Sequence, residues 1–64
     1  MLIYLPEDIE SKEQQSLLYF LCESDCYIIQ RTATLLRLAV RPHLTREFGE
    51  ELCARFPCIA QVVD

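Results

Sequence analysis

Residues 21–28 read LCESDCYI and residues 52–59 read LCARFPCI, so the chain follows one pattern twice. In each copy an apolar helical segment ends, a short turn follows, and an apolar strand begins. A mostly apolar run that stops at or near a proline precedes each copy, at residues 1–5 and 35–40. The order strand–helix–strand therefore occurs twice. Two such units joined by a hairpin predict an α+β fold, a ferredoxin-like βαββαβ sandwich with two helices on one face of a four-stranded antiparallel sheet.

Strand and helix patterns place each element along this order. The four predicted strands, apolar or alternating in pattern, are residues 1–5, 26–31, 34–40 and 58–63. The first helix begins at Asp8 or at Ser11, and Ser11 and Gln14 have the spacing of a capping box. The second helix opens at residues 42–45. No linker interrupts this order, so residues 1–64 are predicted to form a single domain.

Each predicted helix has an apolar face to bury against the sheet. On the first helix this face is formed by Ile9, Leu17, Leu18, Leu21 and Cys22. On the second helix it is formed by Leu44, Phe48, Leu52 and Phe56. Gly49 lies within the second helix at a cost of about 1 kcal/mol against alanine. We expect close packing of this helix on the sheet to be the reason.

The hairpin between the second and third strands has unusual turn chemistry. Residues 31–33, RTA, must reverse the chain without glycine, proline or asparagine. One long strand or a helix across residues 27–40 is the alternative to a hairpin here.

The sheet face away from the helices is predicted to be apolar with one arginine in it. In one register the third strand contributes Leu35, Arg37 and Ala39 to this face. The second strand contributes Tyr27 and Ile29 or, in the other register, Cys26 and Ile28. Such a face fits a protein interface better than open water.

Size and composition favour a small protein that shares apolar surface with a partner. The chain has 64 residues, of which 52% are hydrophobic. A domain of this length buries only about 60% of its unfolded surface, so we expect a homo-oligomer. No apolar run approaches the roughly 20 residues of a membrane span. The opening residues, MLIYLPED, turn acidic at once and do not resemble a signal peptide, so a cytoplasmic location is expected.

Charge is unevenly distributed along the chain, although the net charge is −4. Six of the ten acids lie in residues 1–25, whereas residues 26–46 contain no acid and carry four arginines: Arg31, Arg37, Arg41 and Arg46. The overall sign argues against nucleic-acid binding. The third strand also lacks the aromatic residues with which RNA-recognition domains stack bases. The arginines are either solvated or face an anionic ligand or an acidic partner.

The residues that could carry chemistry do not form a recognisable site. The cysteines form two pairs, Cys22 with Cys26 and Cys53 with Cys58. Antiparallel helices should hold these pairs at opposite ends of the sheet, so neither a four-cysteine zinc site nor any other metal site is expected. Burial as small apolar residues at the helix–strand joints is the preferred interpretation. His43 has no second histidine, and the single glycine excludes a glycine-rich phosphate loop. We expect no cofactor and no enzyme activity.

Three segments carry a family resemblance: MLIYLP at residues 1–6 followed by acids, RT at residues 31–32 before an apolar strand, and CIAQVV at residues 58–63. In these the chain resembles the N-terminal regulatory domain of one class of 3-deoxy-7-phosphoheptulonate synthases, a ferredoxin-like domain related to ACT domains. The resemblance spans nearly the whole chain but departs where that family has glycines, as at residues 39–41. It implies a non-catalytic module that binds an aromatic amino acid between domains, with the regulated enzyme on a separate chain.

These observations predict a non-catalytic regulatory, ligand-binding or protein-interaction module that forms a homodimer. Its candidate interface or anion-binding residues are Tyr27, Arg31, Leu35, Arg37 and Arg41. The alternative is a small inhibitor or adaptor, encoded for example by a phage or mobile element, whose acidic first helix binds a larger basic target. A third hypothesis is a redox or metal protein that uses the cysteines.

Overall fold

A computed structural model describes residues 1–63 as a four-stranded sheet with two α-helices. The elements, in chain order, are β1 (Leu2–Tyr4), α1 (Ser11–Glu23), β2 (Cys26–Arg31), β3 (Leu35–Val40), a 3₁₀ turn (Pro42–Leu44), α2 (Thr45–Arg55) and β4 (Gln61–Val63). The strands lie in the order β2-β3-β1-β4, and every neighbouring pair is antiparallel. This arrangement confirms the predicted α+β, ferredoxin-like fold.

The core lies between the helices and one face of the two inner strands, β1 and β3. Seven aliphatic residues are buried there: Ile3, Leu5, Leu17, Leu21, Leu36, Leu38 and Leu52. Alternation along β3 directs Leu36 and Leu38 into this core and Leu35, Arg37 and Ala39 to the other face. Burial of these side chains is the main stabilising term of so small a fold.

The two helices contact each other through the three phenylalanines. The rings of Phe20 and Phe48 are stacked with centroids 5.9 Å apart, and Phe56 lies tilted against Phe20 at 5.5 Å. The guanidinium of Arg55 stands 5.2 Å from the Phe20 ring centroid, within cation–π range. Phe48, Leu52 and Phe56 therefore face inward, as the helical spacing predicts.

α1 begins at the second of the two predicted positions, but without the predicted capping box. The helix begins at Ser11 with Glu10 in the cap position, and no side chain caps it. Ser11 is thus the first helical residue rather than the cap, so the capping box with Gln14 does not form. On the same helix Leu17 and Leu21 are buried, but Cys22 is exposed. Its assignment to the buried face was wrong, because it lies one position beyond the stripe centred on Leu17 and Leu21.

The hairpin forms, and a threonine side chain supplies the missing turn chemistry. The Thr32 N–H donates to the Leu35 carbonyl at 2.8 Å, and the Leu35 N–H donates to Thr32 Oγ1 at 3.0 Å. The alternative of one strand or helix across residues 27–40 is therefore wrong. Among residues 1–63 no φ is positive, so the turn is not of the type that glycine favours. Before this turn, β2 contains a β-bulge between Ile28 and Gln30. Such bulges add twist to a strand.

Three strands are shorter than predicted. β1 and β3 lose one or two end residues, and β4 begins at Gln61 rather than at residue 58. Residues 56–59 instead form a turn in which the Ile59 N–H donates to the Phe56 carbonyl at 3.0 Å.

Gly49 is less crowded than predicted. It does face the sheet, but a Cβ there would lie 3.7 Å from Met1 Cε and Val62 Cγ1. That is ordinary contact, so close packing does not require the glycine.

Candidate functional site

The sheet face opposite the helices, called the open face below, is the main candidate site. Strand register defines its members, because residues paired across neighbouring strands point to the same side. From β1 and β3 they are Leu2, Tyr4, Leu35, Arg37 and Ala39. The edge strands add Tyr27, Gln30, Gln61 and Val63. The third-strand register is thus the predicted one, and β2 contributes Tyr27 rather than Cys26.

One row of the open face crosses all four strands. Val63 pairs with Leu2, Leu2 with Arg37, and Arg37 with Gln30. Arg37 therefore stands near the middle of the face, with apolar side chains on the β1 side. Above and below this row lie aromatic residues, of which Tyr4 is 39% and Tyr27 is 78% exposed. The face combines contiguous apolar surface with a single central positive charge.

Charge separates the two layers of the molecule. The strands β1 to β4 contain no acid, whereas the acids of the described residues lie on the helices and the connecting segments. Of the three ion pairs among residues 1–63, two lie within α2, Arg46 with Glu50 at 3.5 Å and Arg55 with Glu51 at 3.0 Å. Arg37 has no ion-pair partner among residues 1–63. A negatively charged group brought to the open face would meet this arginine first.

The structure brings only some of the predicted site residues together. Tyr27, Leu35 and Arg37 share the open face. Arg31 pairs with Leu36, so it points to the helix side at the turn end of the hairpin. Arg41 lies past the other end of β3, where its Nε donates to Asp25 Oδ2 at 2.9 Å. About five residues of strand, roughly 17 Å, separate Arg31 from Arg41, so the arginines do not converge on one anion.

The β2 edge is a feature that sequence reasoning missed. β2 is the outer strand, and five of its six residues are exposed. Ile28 is 38% and Ile29 is 63% exposed, in addition to Tyr27. The signal in the sequence was the run YII, which is apolar at consecutive positions and therefore apolar on both sides of a strand. It was interpreted for one face only.

The cysteines lie in two separate places and form no metal cluster. Cys26 follows α1, and its thiol donates to the Leu21 carbonyl at 3.4 Å. Cys58 follows α2 and interacts with Glu13, near the start of α1. About nine helical residues, roughly 14 Å, lie between Glu13 and Cys22. Within residues 1–63 no three His, Cys, Asp or Glu side chains are placed to hold a metal ion.

Burial distinguishes the two members of each cysteine pair. Cys22 and Cys53 are exposed, whereas Cys26 and Cys58 are partly buried. The expectation of buried cysteines was therefore wrong for the exposed two, which lie on outward faces of the helices. Burial raises the pKa of Cys26, with smaller effects of Cys22 and Asp25. Burial also raises the pKa of Cys58, followed by the hydrogen bond and charge of Glu13. Both thiols are thus weak nucleophiles at neutral pH.

A cleft of about 400 Å³ lies where the start of α1 meets the end of α2. Its lining includes Glu13, Lys12, Arg55 and Cys58. The two acids and two bases around it balance each other, and the thiol in it has a raised pKa. This arrangement favours neither an anion nor a cation and provides no activated nucleophile.

Comparisons with known proteins found no match for this chain among protein families, curated proteins or solved structures. Neither of the described helices is both long and apolar enough to cross a membrane. The function must therefore be argued from the fold and its surfaces.

Proposed function

We propose that the chain is a non-catalytic protein-interaction module that works as a homodimer and presents its open face to a partner. The observation that supports this most directly is the composition of the open face, apolar side chains around Arg37 with no helix covering them. Contiguous apolar patches beyond a few hundred Å² are rare on monomeric proteins and mark interaction sites. The small size of the chain adds a reason to share this surface.

The chemistry of the open face defines the partner that fits it. Arg37 has a planar guanidinium that binds a carboxylate through two parallel hydrogen bonds. Tyr4, Tyr27 and Leu35 offer apolar contact around it. A protein segment with apolar side chains and one central carboxylate is therefore the proposed partner of this face.

The non-catalytic part of the proposal is supported by where the reactive groups lie. His43 is exposed in the 3₁₀ turn. The partly buried cysteines, Cys26 and Cys58, have raised pKa values and lie at opposite ends of α1. Within the described residues, the one carboxylate that contacts these thiols by a hydrogen bond, Glu13 at Cys58, raises the pKa of the thiol and so disfavours its reactive thiolate form.

Two narrower versions of the module remain to be separated by experiment. One is the regulatory domain implied by the family resemblance, with an aromatic amino acid as ligand; its support is the shared strand order. The other is the inhibitor or adaptor that binds a basic target through α1. In its favour, Glu10 and Glu13 are exposed at the start of α1 and make no ion pair within residues 1–63.

The first test is the oligomeric state of the reduced protein, by sedimentation velocity up to high-micromolar concentration with native mass spectrometry on the same sample. We expect a metal-free dimer, because the apolar surface is large for the size of the chain. A monomer throughout this range contradicts the homodimer. Bound zinc contradicts our interpretation of the cysteines.

Ligand and charge-reversal experiments then choose between the narrower versions. Titration with aromatic amino acids, followed by amide chemical shifts, should move signals of the β2–β3 hairpin if the regulatory version is right. Unchanged spectra across the panel contradict it. For the adaptor version, Glu10→Lys with Glu13→Lys should weaken binding to a basic target, whereas Glu47→Lys on α2 is the matched control.

A further inference from the structure

Both edges of the described sheet are apolar strands without an outer neighbour, but β2 has six residues and is mostly exposed, whereas β4 has three. β2 has β3 on one side and no described strand on the other. Natural proteins usually protect such an edge with charge, proline, a very short strand or a covering segment. Before Arg31, β2 has neither a charged residue nor a proline, and its side chains from Tyr27 to Ile29 are exposed. Its bulge lies at Ile29, between Ile28 and Gln30, so the residues that pair regularly with β3 before it are Cys26 to Ile28.

We propose that two copies of the chain pair through their β2 edges, antiparallel, about a two-fold axis at Ile28. The inference rests on the proposed homodimer and names the contact that forms it. In this register Ile28 lies opposite its own copy, and Tyr27 of each chain lies opposite Ile29 of the other. Aromatic and β-branched residues are favourable cross-strand partners. The pairing joins two four-stranded sheets into one of eight strands.

Charge supports this antiparallel register. Asp25 directly precedes β2, and Arg31 ends it. An antiparallel copy places Asp25 of each chain at the same end as Arg31 of the other. A parallel copy would instead place the two Asp25 carboxylates together at one end and the two Arg31 guanidinium groups together at the other. Arg31 has no ion-pair partner among residues 1–63. Asp25 uses one carboxylate oxygen for Arg41, so its contribution to the pairing is the opposite charge that it places at the same end of the paired strands as Arg31 of the second copy.

The same charges disfavour the rival dimer, in which two open faces stack. Arg37 stands in the middle of the open face, and the described strands carry no acid that could pair with it. Stacking would bury two arginines without counter-charges, which is strongly unfavourable. Edge pairing leaves both open faces uncovered and makes them neighbours on one continuous surface. It also buries Ile28, which points to the helix side opposite Leu38.

Disulfide trapping distinguishes these two dimers by distance. A disulfide requires Cα atoms about 4.4–6.8 Å apart, and neighbouring strands satisfy this at about 4.8 Å, whereas stacked sheets lie about 10 Å apart. The four native cysteines are replaced by serine, and Ile28→Cys is introduced. Mild oxidation should yield a covalent dimer much faster than Tyr19→Cys, a control on α1 with a 73% exposed position.

The outcomes separate this inference from the proposed function. Rapid cross-linking at residue 28 supports the edge pairing. A dimer by sedimentation that cross-links no faster than the Tyr19→Cys control overturns the edge pairing and leaves the homodimer standing. A protein that is monomeric before oxidation overturns both.

A second variant tests the contact in the native cysteine background, in case the serine replacements prevent folding. Ile28→Lys places two ammonium groups at the axis and should raise the dimer dissociation constant by at least ~10-fold. Tyr19→Lys adds the same charge away from β2 and should leave this constant unchanged. If Ile28→Lys retains the wild-type dissociation constant, the edge pairing is overturned.

Discussion

The two edge strands, β2 and β4, are both apolar but stand in different surroundings. β4 has only three residues, and its valines Val62 and Val63 are partly buried. α2 lies behind it, with Gly49 beside Val62. β2 has six residues, of which five are exposed. A short edge with a helix behind it is satisfied within the monomer, whereas the longer β2 edge retains exposed apolar surface and unpaired backbone groups.

The comparison shows that composition alone does not say which apolar strand is available to a partner. Val62 and Ile29 are both β-branched residues on edge strands. Their exposure differs because Val62 pairs with the buried Ile3 and lies beside Gly49 of α2, whereas Ile29 lies in the β-bulge outside the regular pairing with β3. The predictions that follow test this difference, beginning with the inner strands that both edges share.

The largest effect is expected from the inner neighbours of the two edges. Leu38 on β3 pairs with Ile28 of β2, and Ile3 on β1 pairs with Val62 of β4. Both side chains are buried, so Leu38→Ala and Ile3→Ala should each lower the free energy of unfolding by about 2–5 kcal/mol. Urea unfolding followed by far-UV circular dichroism measures this loss. If Leu38→Ala costs less than about 1 kcal/mol, the core does not extend along β3 as described.

The edges themselves should respond unequally to the same truncation. Val62→Ala should cost about 1 kcal/mol because its methyl groups are partly buried, whereas Ile29→Ala should change monomer stability by no more than about 0.5 kcal/mol. Both are measured at the lowest workable protein concentration, so that association does not contribute. Equal losses in the two variants would remove the distinction between the edges.

Gly49→Ala tests how tightly α2 packs behind β4. Helix propensity favours alanine by about 0.8–1.0 kcal/mol, and the new methyl group would be in ordinary contact with Met1 and Val62. We expect the variant to be more stable by about 0.5–1 kcal/mol, measured as a shift of the urea midpoint. A destabilised variant would show that α2 approaches β4 more closely than the 3.7 Å contacts indicate.

The smallest effect is expected from Cys26, at the start of β2. Burial raises its pKa in the folded state, so folding favours the neutral thiol. This contribution is fully present below the thiol's ordinary pKa of about 8.5 and is lost as the pH rises through the folded value. Thermal unfolding should therefore show a small loss of stability on the alkaline side, which Cys26→Ser reduces. Cys22→Ser, at an exposed position, is the control; an identical pH profile for wild type and Cys26→Ser contradicts the assignment.

Much of the fold could be predicted because local patterns and global topology agree. The repeated helix–turn–strand pattern fixed the element order, and alternation along β3 gave the correct register for Leu35, Arg37 and Ala39. The turn at Thr32 could not be foreseen from glycine or proline rules, because a side-chain hydroxyl closes it. The β2 edge was missed because the exposure of its side chains depends on tertiary packing and on the β-bulge at Ile29, which a strand pattern does not indicate.

The candidate site was predicted only in part for a similar reason. The arginines were grouped because they are close in sequence, but a hairpin places residues at its two ends far apart. Arg31 and Arg41 are therefore separated: Arg37 stands in the middle of the open face, and Arg41 lies at its end, beside Tyr27 and Ala39. The β-bulge after Ile28 adds a further shift of register along β2. No pattern in the sequence indicates this bulge.

The tyrosines lie at the surface and the phenylalanines in the interior, and this difference decides what intrinsic fluorescence can report. The chain has three tyrosines and no tryptophan, and the tyrosines are 39%, 73% and 78% exposed. The phenylalanines, by contrast, pack on one another between the helices. Intrinsic fluorescence of this protein is thus a signal from its surface. It will report encounters at Tyr27 and Tyr4 more faithfully than it reports melting of the interior.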